Sequence, residues 1–379
     1  MYMDVVVTGI GLLSCLGSLQ PTWSSILQGK SGIRSHCLFP ELPAYPLGLI
    51  DVKPSKVDAL TRKILLDTLS DAELIAPLPE CGIVVGSSRG CQANWEELAT
   101  QKRNSDSKII SNWLQTLPHQ SAIACAQHLQ TTAPVLSPMA ACATGIWALA
   151  RGYELIRSGR CDRVVAGAVE APITPLTMAA FERMGALAKT GCYPFDRDRE
   201  GLVLGEGGAM FVLETAELAQ RRQAKIYGRI KGFGLTCDAH HISAPQTIKG
   251  SAAKAVKQAL ERGNLEPKNI DYIHAHGTST ILNDRHEAQL IQHIFTQNVA
   301  VSSTKGATGH TLGASGAIGT ALTLMAFAHK SLPPCIGLRN LEFDLNIATQ
   351  SREVPINNAM CFSFGFGGQN AAILISNYC

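Results

Sequence analysis

Charge is scarce in this chain of 379 residues: Asp, Glu, Lys and Arg make up 17% of it, and the formal balance is only +3. No basic tail stands out, so composition supplies no footprint for nucleic acid or a charged membrane. Aromatics are equally sparse at 6%, yet 46% of residues are hydrophobic, which excludes disordered and fibrous classes. The twelve cysteines stand singly, with no C-x-x-C pair and no Cys/His cluster at zinc-ligand spacing, so no metal site is expected. Long apolar runs are missing too. Stretches such as Gly313 to Ala328 are diluted with Gly, Ala, Ser and Thr and stop short of the roughly 20 residues that span a bilayer. Met1 to Asp4 lacks the basic start of a signal peptide and runs straight into a Val-rich strand. A cytoplasmic, reducing setting is the expectation, with most cysteines buried as small hydrophobes.

What is present is an alternation of short apolar strands and Ala-rich helices. Asp4 to Thr8, Cys81 to Val85, Arg163 to Ala168 and Met210 to Leu213 read as strands. Ser121 to Leu129, Gly145 to Ile156, Gly250 to Arg262, Glu287 to Phe295 and Ala314 to Ala328 read as helices, and such alternation predicts an α/β fold with buried sheets. Length favours two cores over one. Met3 to Gly11 and Ile226 to Gly234 both look like the opening strand of a unit. An internal duplication with halves 1–222 and 223–379 is therefore expected. Gly9-x-Gly11 is no dinucleotide fingerprint, because Ser14 stands where the third glycine belongs.

Chemistry points first to Cys142, set among small residues in Met139-Ala-Ala-Cys-Ala-Thr-Gly145 before a long helix. Unsatisfied N–H groups and the helix dipole at such a position favour a thiolate, although a buried structural cysteine would look the same. Partners follow in the second half. A strand runs into His274-Ala-His276-Gly-Thr278-Ser-Thr280, and Ser303-Thr-Lys305-Gly-Ala-Thr-Gly-His310 forms a Gly-rich loop before another helix. Two histidines in such turns, where a substrate can approach backbone closely, are hard to dismiss as core.

These segments resemble the condensing enzymes of fatty-acid and polyketide synthesis, the Cys-His-His branch of the β-ketoacyl-acyl carrier protein synthases. The resemblance covers nearly the whole chain and includes Thr8 to Ser14, Gln28 to Ile33, Ala141 to Gly145, Pro194 to Gly201 with Gly205 to Gly207, Asp238 to His241, His276 to Thr280, Lys305 to Ala314 and Phe364 to Asn370. It implies the thiolase fold, two similar α/β halves in five αβαβα layers, as a homodimer. It also implies Cys142 as nucleophile, His276 and His310 as donors to an enolate, and Lys305 as a supporting charge. Phe366 becomes an aromatic gate whose N–H joins that of Cys142 in an oxyanion hole. Thr278 and Thr280, and more weakly Ser243 and His241, would line the path of a phosphopantetheine arm, or simply cap a turn; Phe364 belongs to the pocket or to the core. No bound cofactor is implied, since the arm arrives on acyl carrier protein. Arg62 and Lys63, with Arg197 and Arg199, are candidates for docking that acidic partner, or an ordinary solvated face.

Three residues depart from the family pattern: Ala140 in place of Thr, Gln369 in place of Thr, and Gly319 where many members carry a Glu that pairs with the lysine. Lys305 is then expected to pair with Glu287 or Asp284, or to stay unpaired. The chain is also short between Gly90 and Pro134, which leaves acyl length open. Elongation in fatty-acid synthesis is the leading expectation. A polyketide or specialised-lipid ketosynthase and a non-condensing partner subunit are the alternatives.

Overall fold

The computed structural model describes residues 3–103 and 113–378; part of the shortened stretch after Gly90 thus lies outside the described residues. The first half contributes β1 (Val5–Ser14), α1 (Val57–Asp71), β2 (Gly82–Gly86), α2 (Gln120–Leu129), β3 (Val135–Leu136), α3 (Thr144–Arg157), β4 (Arg163–Glu170), α4 (Pro175–Arg183) and β5 (Gly207–Thr215). The second contributes β6 (Gly228–Cys237), α5 (Ser251–Gly263), β7 (Tyr272–His274), α6 (Ile281–Ile294), β8 (Ala300–Ser302), α7 (Ser315–His329), β9 (Asn358–Gly365) and β10 (Gln369–Ser376). Strands in the first run lie in the order β1-β5-β4-β2-β3, and in the second β6-β10-β9-β7-β8. Parallel and antiparallel neighbours fall at the same places in both runs. The runs meet where Val5 to Val7 pair antiparallel with Ile230 to Gly228.

Alternation along the strands sorts the apolar side chains into layers, since successive residues face opposite sides of a sheet. Ile83, Val85, Val165, Val169, Met210 and Val212 pack outward against α1 and α2. Val84, Ala166, Ala168, Phe211, Cys361 and Ile373 face inward, onto α3 and α7. Ile273, Val301, Met360, Phe362 and Leu374 face α5 and α6 on the far side. The result is helix, sheet, helix, sheet, helix. Buried on every side, α7 is apolar all round, as a central helix must be. The apolar run Leu312–His329 has the length and composition to cross a membrane, yet 89% of it is buried inside the molecule. Thr320 and Thr323 satisfy their hydroxyls by donating to the carbonyls of Gly316 and Gly319.

The expected strands and helices are present with shifted ends: β1 runs on to Ser14 and α6 begins at Ile281, not Glu287. Arg62 and Lys63, expected at a helix end, lie mid-way along α1, whose apolar face is interrupted by Thr61 and Thr68; both are buried and bonded back to the helix.

Candidate active site

Cys142 sits just before α3, in a turn held from several sides. Ala141 takes a left-handed φ of +46°, an unusual conformation for a residue with a Cβ. The Thr144 hydroxyl accepts from the Ala140 N–H at 2.9 Å and donates to the Ala141 carbonyl at 2.7 Å. From the second half, Ser363 Oγ donates to the Cys142 carbonyl at 2.7 Å. At Gly365 the chains come so close that a Cβ would stand 2.9 Å from the Cys142 nitrogen. The next amide, that of Phe366, donates towards the Cys142 thiol.

His276 follows the C-terminal end of β7, where parallel strands open into loops. Its peptide is clamped: Glu287 accepts from the His276 and Gly277 N–H groups at 2.6 and 2.7 Å, while Lys305 Nζ donates to the His276 carbonyl. Lys305 therefore forms neither of the ion pairs expected for it. Glu287 is occupied by backbone amides, and Asp284 accepts from the N–H groups of Phe195 and Ser279. The space beside the lysine goes to His274, whose Nε2 meets Thr304 Oγ1 at 3.1 Å and whose ring would lie 2.7 Å from any Cβ on Gly319. His310 is fixed through backbone: its N–H donates to the Val203 carbonyl and its carbonyl accepts from Gly205 N–H.

These turns bring Cys142, His276 and His310 together. The thiol and one ring nitrogen of each histidine lie within 4.8 Å of one another, and the two rings meet edge to face at 5.2 Å. Burial, followed by the Lys305 charge, holds both histidines well below 6.5, so both are neutral at pH 7. The cysteine departs from expectation. Burial pushes its thiol up to about 11 against the pull of Lys305, Arg89 and the Phe366 amide, so at rest it is protonated. A cation could bridge this spacing, but the Lys305 ammonium bears on all three groups. The set is better suited to polarising a carbonyl oxygen.

A cavity of about 320 Å³ opens from Cys142, His276 and His310 to a mouth at Met184, Ile281 and Leu282. Thr278, Thr280, Ser243, Phe364 and Phe366 all line it. Thr278 and Thr280 share a hydroxyl contact at 2.9 Å. Phe364 lies edge-on to His276 at 6.0 Å. Phe366 stacks on Phe181 of α4 at 6.1 Å, a partner with no local signal in the sequence. His241 is not among the cavity's lining residues; its Nδ1 accepts from the N–H groups of Ser243 and Ala244, ordering that wall.

Of the basic candidates, Arg199 is corrected. It is only 4% exposed and is consumed by the carbonyls of Asp196 and Ile281 and the Glu342 carboxylate. Arg197, Arg62 and Lys63 are exposed, with Lys63 paired to Asp67 at 2.7 Å.

The β-ketoacyl synthase N-terminal domain family matches residues 59–219, and the corresponding C-terminal domain family matches 227–339. This chain belongs to the β-ketoacyl synthases. It is 34% identical to the 3-oxoacyl-acyl-carrier-protein synthase 2 of Synechocystis over 99% of this chain and 98% of that relative. The mitochondrial 3-oxoacyl-acyl-carrier-protein synthase of Arabidopsis thaliana is 30% identical over 99% and 94%. Among solved structures, the type II polyketide ketosynthase AntDE, in complex with its acyl carrier protein AntF, superposes with a TM-score of 0.94 at 27% identity over all of both chains. A β-ketoacyl synthase from Burkholderia phymatum gives 0.92 at 26%, again over all of both chains. With its family relatives, this ketosynthase shares the thiolase fold expected from its motifs.

Proposed function

We propose that this chain is a β-ketoacyl-acyl carrier protein synthase that performs decarboxylating Claisen condensation in fatty-acid elongation. The observation that carries the reading is the meeting of one thiol, two neutral histidines and a backbone N–H in a single cavity. Cys142 attacks an acyl thioester; the C–S bond to the arm breaks, its sulfur leaves with the proton, and the acyl group stays on Cys142. The amides of Cys142 and Phe366 receive the oxyanion. Malonyl thioester then loses carbon dioxide. Its electron pair forms an enolate whose oxygen accepts from the rings of His276 and His310. Neutral imidazoles can donate without being consumed as acids, and burial, reinforced by Lys305, keeps them neutral. The carbanion attacks the acyl carbonyl, a carbon–carbon bond forms, and Cys142 is released.

The phosphopantetheine arm comes from acyl carrier protein and runs past Thr278, Thr280, Ser243 and Phe364, with Phe366 as the gate. No other cofactor or metal is called for. Docking of the acidic carrier falls to Arg62 and Lys63. The chain divides into halves 1–222 and 223–379, a division supported by the repeated strand order. It works as a cytoplasmic homodimer that touches neither nucleic acid nor membrane; Leu136 and Met139, exposed beside the free edge of β3, support self-association. The likeness to AntDE and the glycine at 319 favour a polyketide setting as the second reading. The elongation synthases at 31–34% identity outweigh it. A non-condensing subunit would have no chemical need for all three catalytic groups.

Intact-protein mass after exposure to acyl-carrier-protein thioesters tests the reading. An acyl group should appear on Cys142 and pass into a β-ketoacyl product when malonyl-carrier protein is added. Cys142→Ala should abolish the adduct, and normal condensation by that variant would sink the mechanism.

A further inference from the structure

The last residue of β4, Glu170, is fully buried and takes no part in the chemistry above. A carboxylate in such a place has to have its acceptor capacity met. Five neutral donors meet it among the described residues. Its Oε1 accepts from Ser87 Oγ at 2.6 Å and from the Arg89 N–H at 3.0 Å. Its Oε2 accepts from Ser88 Oγ at 2.5 Å, the Ser88 N–H at 2.8 Å and the Gly313 N–H at 3.0 Å.

These donors come from both halves of the chain. Ser87 to Arg89 form the turn that leaves β2 in the first half, whereas Gly313 stands in the second half, three residues after His310. Glu170 therefore ties the first-half sheet to the end of the loop that carries His310. The start of that stretch is held by the bonds of His310 itself to Val203 and Gly205. Between the two anchors Leu312 takes a left-handed φ of +40°, a conformation that a residue with a side chain keeps only where its surroundings impose it. The tie has no slack. A Cβ on Gly313 would stand 2.5 Å from Glu170 Oε2 and 2.8 Å from the Ser88 nitrogen. A glutamine cannot replace the glutamate, because its amide N–H₂ would face donors.

The nucleophile depends on other contacts. Thr144 and Ser363 fix the Cys142 turn, and neither bonds to Glu170. The carboxylate's charge does reach the thiol and raises it, so losing that charge would not slow acylation.

We propose that Glu170 is a positioning residue for the condensation step: its Oε2 holds Gly313, and through that loop the ring of His310, in register with the Cys142 turn. The assignment rests on the condensing reading above. It separates the two half-reactions, since acylation uses the thiol and backbone donors while enolate formation uses His310.

The test reads the two steps one after the other. Acylation by an acyl-carrier-protein thioester is followed by intact mass; malonyl-carrier protein is then added to the loaded enzyme, and transfer into β-ketoacyl product is timed. Glu170→Gln should leave acylation within about twofold and slow transfer about ten- to a hundredfold, as for a catalytic group displaced by about 1 Å. Half-saturation by malonyl-carrier protein should not move. Gly313→Ala pushes on the same tie from the other side and should give the same split, and the double variant should lose no more than the worse single one. Should Glu170→Gln fail to fold, the split in Gly313→Ala decides. Equal slowing of both steps, slowing of neither, or additive losses in the double variant overturn the assignment. Wild-type protein that takes the acyl group yet yields no β-ketoacyl product would instead remove the condensing reading itself.

Discussion

At the scale of single residues, the site works by holding neutral groups in a buried place and keeping one cation beside them. The Cys142 thiol, pushed up to about 11, should react slowly with iodoacetamide at pH 7 and faster with each step in pH up to that range. Lys305→Met removes the charge that opposes this shift. Alkylation of the variant at a fixed pH should be slower than in the wild type. The histidines give a second expectation, for stability. His276 and His310 are held well below 6.5, and His274 falls to about 3. Below pH 6.5 the unfolded chain therefore binds protons that the folded chain refuses, and stability from these groups is present above 6.5 and lost as pH falls. Glu287 and Asp284, raised to about 7 and about 6, act in the opposite sense over part of that range. Urea midpoints between pH 5 and 7 should therefore show a shallower acid loss for His310→Gln than for the wild type.

At the scale of elements, the two central helices decide whether the nucleophile is in place. A Cβ on Gly145, in the first turn of α3, would stand 2.5 Å from the Ala317 nitrogen of α7. Backbone on both sides leaves nothing to yield. Gly145→Ala should lower stability by about 1–3 kcal/mol, seen as an earlier thermal transition, and slow acylation because the same turn carries Cys142. Gly319→Ala would meet side chains instead, the His274 ring at 2.7 Å and the Cys361 sulfur at 2.9 Å. Its loss should be non-additive with His274→Ala by roughly 0.5–3 kcal/mol in unfolding experiments. The nucleophile turn, the two histidine loops and the glycine-flanked Phe366 were all legible in the sequence, because each is a local pattern of small residues around one reactive group. Phe181, His286 and Ser363 were not. Phe181 and His286 reach the cavity, and Ser363 the Cys142 carbonyl, only through tertiary packing, and α1 hid its buried threonines among polar letters. The partner of Lys305 was illegible for a further reason: a backbone carbonyl leaves no mark in sequence.

At the scale of the whole molecule, the cavity belongs to neither half. Cys142, Phe181 and the Val203 carbonyl that fixes His310 come from the first, while His276, His310, Lys305 and Phe366 come from the second. Segments 1–222 and 223–379 expressed separately should each expose the inward faces that pack on α3 and α7, aggregate, and take no acyl group. Co-expression should restore some acylation on Cys142, measured by mass. The proposed dimer is tested at the edge of β3: charging it with Leu136→Lys and Met139→Lys should shift sedimentation towards monomer.

The late connection between β9 and β10 carries the Phe366 amide, whereas Cys142 is laid down long before it. During synthesis on the ribosome the thiol emerges without its electrophile-binding donor. It stays that way until β10 is inserted beside β6. An unfinished copy that lacks β10 thus carries Cys142 without that donor, and its acylation should be about 10²–10³-fold slower. Completion of the chain is what completes the oxyanion site.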